Sequence, residues 1–216
     1  MSKLIIKASE ITNLTDARYF SAWGADYLGF NLVEGTDSFI EPIQLNAIKE
    51  WLSGPKIIAE LGYMADKDSI NFCLETLKLD GLQIGHFTPI ENLDAIRAET
   101  EIIVEIGLEN LAELSTIEGI MKDWSSITNL FFLNLEKNQF SWNDISSNET
   151  YIDTLKSICS KNNIILALEF DPEQLKEILE KTNLFGIGLK GGSEEKTGIK
   201  SFEDLDLIFE KLEDLQ

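Results

Sequence analysis

Lys3-Leu-Ile-Ile-Lys-Ala-Ser-Glu-Ile-Thr12, then Asp16-Ala17 and Gly24-Ala-Asp-Tyr-Leu-Gly-Phe30, is the stretch that decides the fold. Residues 4–8 are a short aliphatic run, too brief for a helix and bounded by polar residues, which reads as a buried strand. Residues 15–23 follow with helical spacing and stop at Gly24, where a glycine commonly ends a helix. Residues 27–31 are a second apolar run. One strand–helix–strand unit in 31 residues predicts two parallel neighbours joined by a crossover helix.

Working outward, the unit recurs. Strands are expected at 56–61, 81–84, 101–106, 129–134, 163–168 and 184–189, and helices at 43–52, 67–77, 90–97, 111–122, 150–161, 172–181 and 201–212. Pro172 opens one of them, where its missing N–H costs little. The strands are near-continuous β-branched and aliphatic runs, as required when both faces of a parallel sheet are covered. Eight such units in 216 residues predict one (β/α)8 barrel domain spanning residues 1–216 rather than an open sheet. The longest connection, 135–149, is the candidate lid.

Composition narrows the function. Apolar residues make up 44% of the chain, enough for a large core, and no apolar run approaches the ~20 residues of a membrane helix. The N-terminus goes straight into a strand with no basic-then-apolar signal pattern, so a cytoplasmic location is expected. Net charge is −20, from 38 acidic and 18 basic residues, which argues against nucleic acid and anionic membranes as partners. Cys73 and Cys159 fall among apolar neighbours and read as buried free thiols. With a single histidine, His86, and no Cys/His spacing, neither a metal nor a cofactor is expected.

In this fold, function sits at the C-terminal strand ends. By position these are Ser9, Asn31, Gly62, Gln83, Glu105, Asn134, Glu169 and Lys190. Carboxylates at such places need partners, and Lys7 or Lys190 could supply them for Glu60, Glu105 and Glu169. His86 reads as a loop histidine, and Phe140 and Trp142 as a hydrophobic clasp.

The ordered motifs carry a resemblance. Lys7-Ala-Ser-Glu-Ile-Thr12 stands where phosphoribosylanthranilate isomerases have Lys-Ile-Cys-Gly-Ile-Thr. Asp16-Ala17, Gly24–Phe30, Leu82-Gln-Ile-Gly-His86, Phe140-Ser-Trp142, Gly188–Glu194 and Gly198-Ile-Lys200 match further family segments in order, nearly end to end. The resemblance implies a (β/α)8 barrel and an Amadori rearrangement of a phosphoribosyl-amine in tryptophan biosynthesis. It also implies a base after the first strand and an acid after the sixth. Those positions are Ser9 and Asn134 here, and neither side chain titrates usefully near neutral pH.

Other family features are replaced as well. The substrate arginine position reads Ser38, and the paired phosphate-cradling glycines read Leu168-Glu169. The Ser-Ser after the eighth strand reads Lys190-Gly191, followed by Gly192. Lys190 with Gly191 and Gly192 could form an anion nest, or Lys190 could pair with Glu169. The resemblance thus leaves Ser38, Gln83, Glu169, Lys190, Gly191 and Gly192 as ligand-binding candidates. Three readings stand: a barrel that has lost isomerase activity and binds a small molecule or a partner at its mouth, an isomerase with an altered acid/base pair, or an enzyme of changed chemistry using strand-end carboxylates. A monomer or homodimer is expected.

Overall fold

The computed structural model describes residues 3–93, 96, 99–191, 194–196, 199–200 and 202–215. Eight parallel strands close into a barrel: β1 (Ile5–Ser9), β2 (Tyr27–Asn31), β3 (Lys56–Glu60), β4 (Gly81–Gly85), β5 (Glu101–Gly107), β6 (Leu130–Asn134), β7 (Asn163–Ala167) and β8 (Gly186–Lys190). The ring is shut by β1 against β8, with Ile5 opposite Gly186 and Ser9 opposite Lys190. Outside it run α1 (Leu14–Ala22), α2 (Pro42–Lys49), α3 (Lys67–Asn71), α4 (Ile117–Trp124), α5 (Trp142–Ser146), α6 (Glu149–Lys161), α7 (Leu175–Thr182) and α8 (Glu203–Leu215).

Two cores result from the alternation of side chains along each strand. The larger lies between sheet and helices and includes Phe20, Phe30, Ile84, Val104, Phe131, Leu166 and Phe209. The smaller fills the barrel axis with Tyr27, Ile58, Ile103, Leu130, Phe132, Ile165 and Ala167. Cys73 and Cys159 are free and buried, and burial pushes both thiols up to about 12. Among the described residues, no helix is long and apolar enough to cross a membrane.

Several expectations are corrected. The connection after β6 is no open lid. It forms a short 3₁₀ turn, Glu136–Asn138, and then α5, whose Trp142 is fully buried. Ser141 bridges Glu169 beyond β7, and the Trp142 indole donates to Glu177 at 3.1 Å. A lid must leave water-exposed apolar surface when it opens, and exposing a tryptophan is costly. Of the helix expected at 90–97, the described residues show a 3₁₀ turn at Ile90–Leu93, and residues 94–95 and 97–98 lie outside the described residues. The expected helix after β3 starts as α3 and widens into a π turn over Phe72–Thr76. Beyond β8 an antiparallel ribbon pairs Glu194–Lys196 with Ile199–Lys200.

Candidate functional site

The smaller core stops short of the C-terminal end of the barrel, and polar side chains take over there. Ile58 and Glu60, Ile103 and Glu105, and Phe132 and Asn134 are two residues apart on their strands, so each polar residue stands above an apolar one on the inner face. They gather into two clusters.

The first spans β1 and β3. Lys7 is completely buried, and its ammonium donates to Glu60 Oε1 at 2.5 Å and to Ser9 Oγ at 2.7 Å. Nζ also lies 4.6 Å from the centre of the Phe132 ring. Glu60 Oε2 accepts from the Glu10 backbone N–H at 3.0 Å. Ion pair, hydroxyl and amide together supply the extra hydrogen bonds that a desolvated pair requires. Space for it comes from β2: a Cβ on Gly29 would stand 2.1 Å from Glu60 Oε1 and 2.9 Å from Lys7 Nζ. The resemblance motif has glycine where Glu10 stands, and Glu10 itself has left-handed backbone, at φ 57°. An L side chain pays conformational strain there; the Glu60 hydrogen bond and the Lys190–Glu10 contact at 3.5 Å help hold it.

The second cluster spans β4, β5 and β6. Glu105, 6% exposed, accepts from Gln83 Nε2 at 2.8 Å and from Asn134 Nδ2 at 2.9 Å. Gln83 Oε1 is buried and has no hydrogen-bond partner. Tyr63, from the connection after β3, passes over the end of β4 so closely that a Cβ on Gly85 would stand 2.1 Å from its carbonyl oxygen. Lys137, from the turn after β6, holds its ammonium 4.0 Å above the Tyr63 ring. Burial works against the charge of Lys137, but the Tyr63 hydroxyl and the charges of Glu105 and Glu10 hold its pKa above the usual lysine value. Nothing in the sequence singled out Tyr63 or Lys137, since both lie in irregular connections whose paths only the folded barrel fixes.

The remaining candidates are spread around the rim. Ser38 accepts from Asn31 Nδ2 at 2.8 Å and so helps bind the connection after β2 to its own strand. Lys190 does not pair with Glu169. It lies 3.5 Å from Glu10, which follows the adjoining β1, and 3.9 Å from Glu136, which follows β6. Glu169 is exposed, and its N–H donates to the Phe140 carbonyl at 3.1 Å. Gly191 borders a cavity of about 350 Å³ with Lys190, Glu136, Glu169 and Asp204. Burial is the main influence raising the Glu136 pKa; Lys190 opposes it, and Glu10 and Glu169 add to it. Gly192 lies outside the described residues. His86 is half-buried, its ring 4.0 Å from that of Phe87. Among the described residues, no group of three or more His, Cys, Asp or Glu side chains could hold a metal ion.

The architecture is that of a (β/α)8 barrel with polar side chains gathered at its C-terminal strand ends. No protein-family model matches the chain. Its sequence is 24% identical over 197 residues to the N-(5'-phosphoribosyl)anthranilate isomerase of Agrobacterium fabrum, covering 88% of this chain and 86% of that one. The fold matches the phosphoribosylanthranilate isomerase of Thermus thermophilus with a TM-score of 0.75 at 24% identity, over 99% of this chain and 100% of the other. It also matches an isomerase solved in complex with reduced 1-(o-carboxyphenylamino)-1-deoxyribulose 5-phosphate, with a TM-score of 0.70 at 20% identity over 98% of this chain and 99% of that one. Phosphoribosylanthranilate isomerase is therefore the family that this chain resembles, in the order of its motifs and in its shape.

Proposed function

We propose that this chain is an isomerase-like barrel of the tryptophan-biosynthesis lineage that binds a small molecule at its C-terminal mouth and has lost the Amadori rearrangement. In this reading it acts in the cytoplasm, as a monomer or homodimer. The reaction of the family it resembles needs one group to take a proton from C2 and another to protonate the ring oxygen. The observation that carries the reading is the state of those two positions. Ser9 Oγ accepts a hydrogen bond from a buried ammonium, which makes it a poorer base than a free hydroxyl. Asn134 offers only an amide and donates it to Glu105. Near the rim, the Glu169 N–H that would meet a phosphate is already bonded to Phe140, and its carboxylate adds repulsion.

The test is complementation of a bacterial tryptophan auxotroph that lacks the isomerase. No growth is expected, because absence of either proton-transfer group typically forfeits ~10²–10⁴ in rate. Growth would overturn the reading. It would favour a second one, in which Glu105, one hydrogen bond from Asn134, supplies the acid. The double variant Ser9→Cys with Asn134→Asp separates the causes: restored growth means that the mouth still accepts the phosphoribosyl substrate, and continued failure means that the changes at Ser38 and Glu169 exclude it.

A further inference from the structure

Glu105 is a buried carboxylate held by two neutral amides, with no salt bridge among the described residues. Burying a charge without a counter-charge is unfavourable, and native proteins usually pair it. Beside it, Gln83 is 3% exposed, its Nε2 is committed to Glu105, and its Oε1 faces no donor. Native structures satisfy nearly all such buried atoms. Lys137 acts on the Glu105 charge only through space, without a salt bridge, so the unfilled capacity of this cluster is acceptor capacity on and beside a carboxylate that no cation contacts directly: Glu105 Oε1, Glu105 Oε2 and Gln83 Oε1.

We propose that the β4–β6 side of the mouth binds a small primary amine as its ammonium ion, with Glu105 supplying the counter-charge and Gln83 Oε1 a further acceptor. This rests on the reading of the mouth as a small-molecule site. An ammonium brings three N–H donors and no acceptor, matching the three acceptor atoms in number and in sign. The rim reinforces the choice: Glu10, Glu136 and Glu169 outnumber the two lysines that act on them, Lys137 and Lys190. The protein already places one ammonium of its own nearby, that of Lys137 above Tyr63. A phosphorylated ligand at the same spot would meet the Glu105 charge directly.

The experiment is a titration of the ¹⁵N-labelled full chain, followed by amide shifts at ~0.15 M salt, where exposed charges more than about a Debye length apart are largely screened. The probes are n-butylammonium chloride, tetramethylammonium chloride and ribose 5-phosphate. n-Butylammonium is expected to give saturable shifts confined to the ends of β4, β5 and β6 and to Tyr63. Tetramethylammonium, equal in charge but without N–H donors, is expected to give none. Glu105→Gln should weaken the amine at least ~10-fold, the loss expected when a charged partner is removed, and Gln83→Leu should weaken it less. Equal response to the two cations, or an unchanged affinity in Glu105→Gln, would overturn the proposal. Saturable shifts from ribose 5-phosphate without any from n-butylammonium would overturn it while leaving the small-molecule site intact. Silence from all three probes would tell against both. The comparison of the two cations on the unsubstituted chain keeps the test decisive even if a variant fails to fold.

Discussion

Glu60 and Glu105 are two buried glutamates at the inner ends of barrel strands, 5% and 6% exposed, yet their surroundings differ in kind. Glu60 has the Lys7 ammonium at 2.5 Å and a backbone amide at 3.0 Å. Glu105 is hydrogen-bonded by the amides of Gln83 and Asn134 and feels the Lys137 ammonium only through space. One side of the mouth is charge-balanced, and its hydrogen bonds are internal. The other keeps a negative charge and an unused acceptor. A closed pair contributes to holding the barrel together, and an unbalanced one is where a ligand gains most.

The largest effect that can break this comparison is at Glu60. Glu60→Ala leaves the Lys7 ammonium buried and alone, and a loss of about 3–5 kcal/mol is expected from denaturant unfolding. If the loss stays under ~1 kcal/mol, the pair is not structural. Gly29→Ala comes next: its Cβ lands on the Glu60 carboxylate, and overpacking of this kind costs about 1–3 kcal/mol.

Glu105→Gln sharpens the contrast. It removes a buried charge that no cation contacts directly, Lys137 acting on it only through space, so stability is expected to hold within about 1 kcal/mol of the parent. A fall as large as that of Glu60→Ala would mean that the two glutamates play the same part. Thiol labelling offers an independent readout, since the buried thiols of Cys73 and Cys159 react only when the barrel opens. Labelling should be faster in Glu60→Ala and unchanged in Glu105→Gln. The smallest effect is expected for Glu10→Gly. Relief of the left-handed strain and the added chain entropy of glycine oppose each other, leaving a change of under ~1 kcal/mol.

The barrel was legible because every strand is a short apolar run and every crossover shows a boundary signal, as Gly24 and Pro172 do. Glu60 was also legible in part: a carboxylate inside a strand calls for a cation, and Lys7 lies on an inner-face position of β1. Lys190 was read toward Glu169 and found with Glu10 and Glu136, because the direction of a long side chain at a strand end depends on which loops rise beside it. The supposed lid failed for a similar reason. A connection of 15 residues between a strand and its helix, 135–149, looks open in one dimension, but Trp142 finds a buried site against α7 only in three.

By itself the sequence determined the closed parallel barrel, the resemblance to the phosphoribosylanthranilate isomerases, and the presence of non-titrating side chains, Ser9 and Asn134, at two strand ends, since these follow from periodicity and from residue identity. Only the tertiary structure decided how the polar residues at the mouth divide. Lys7, Ser9, Glu10 and Glu60 meet across β1 and β3, and Gln83, Glu105 and Asn134 meet across β4, β5 and β6. Partners in those sets lie up to 53 residues apart in the chain. Strand register and barrel closure choose them, and no local pattern encodes that choice.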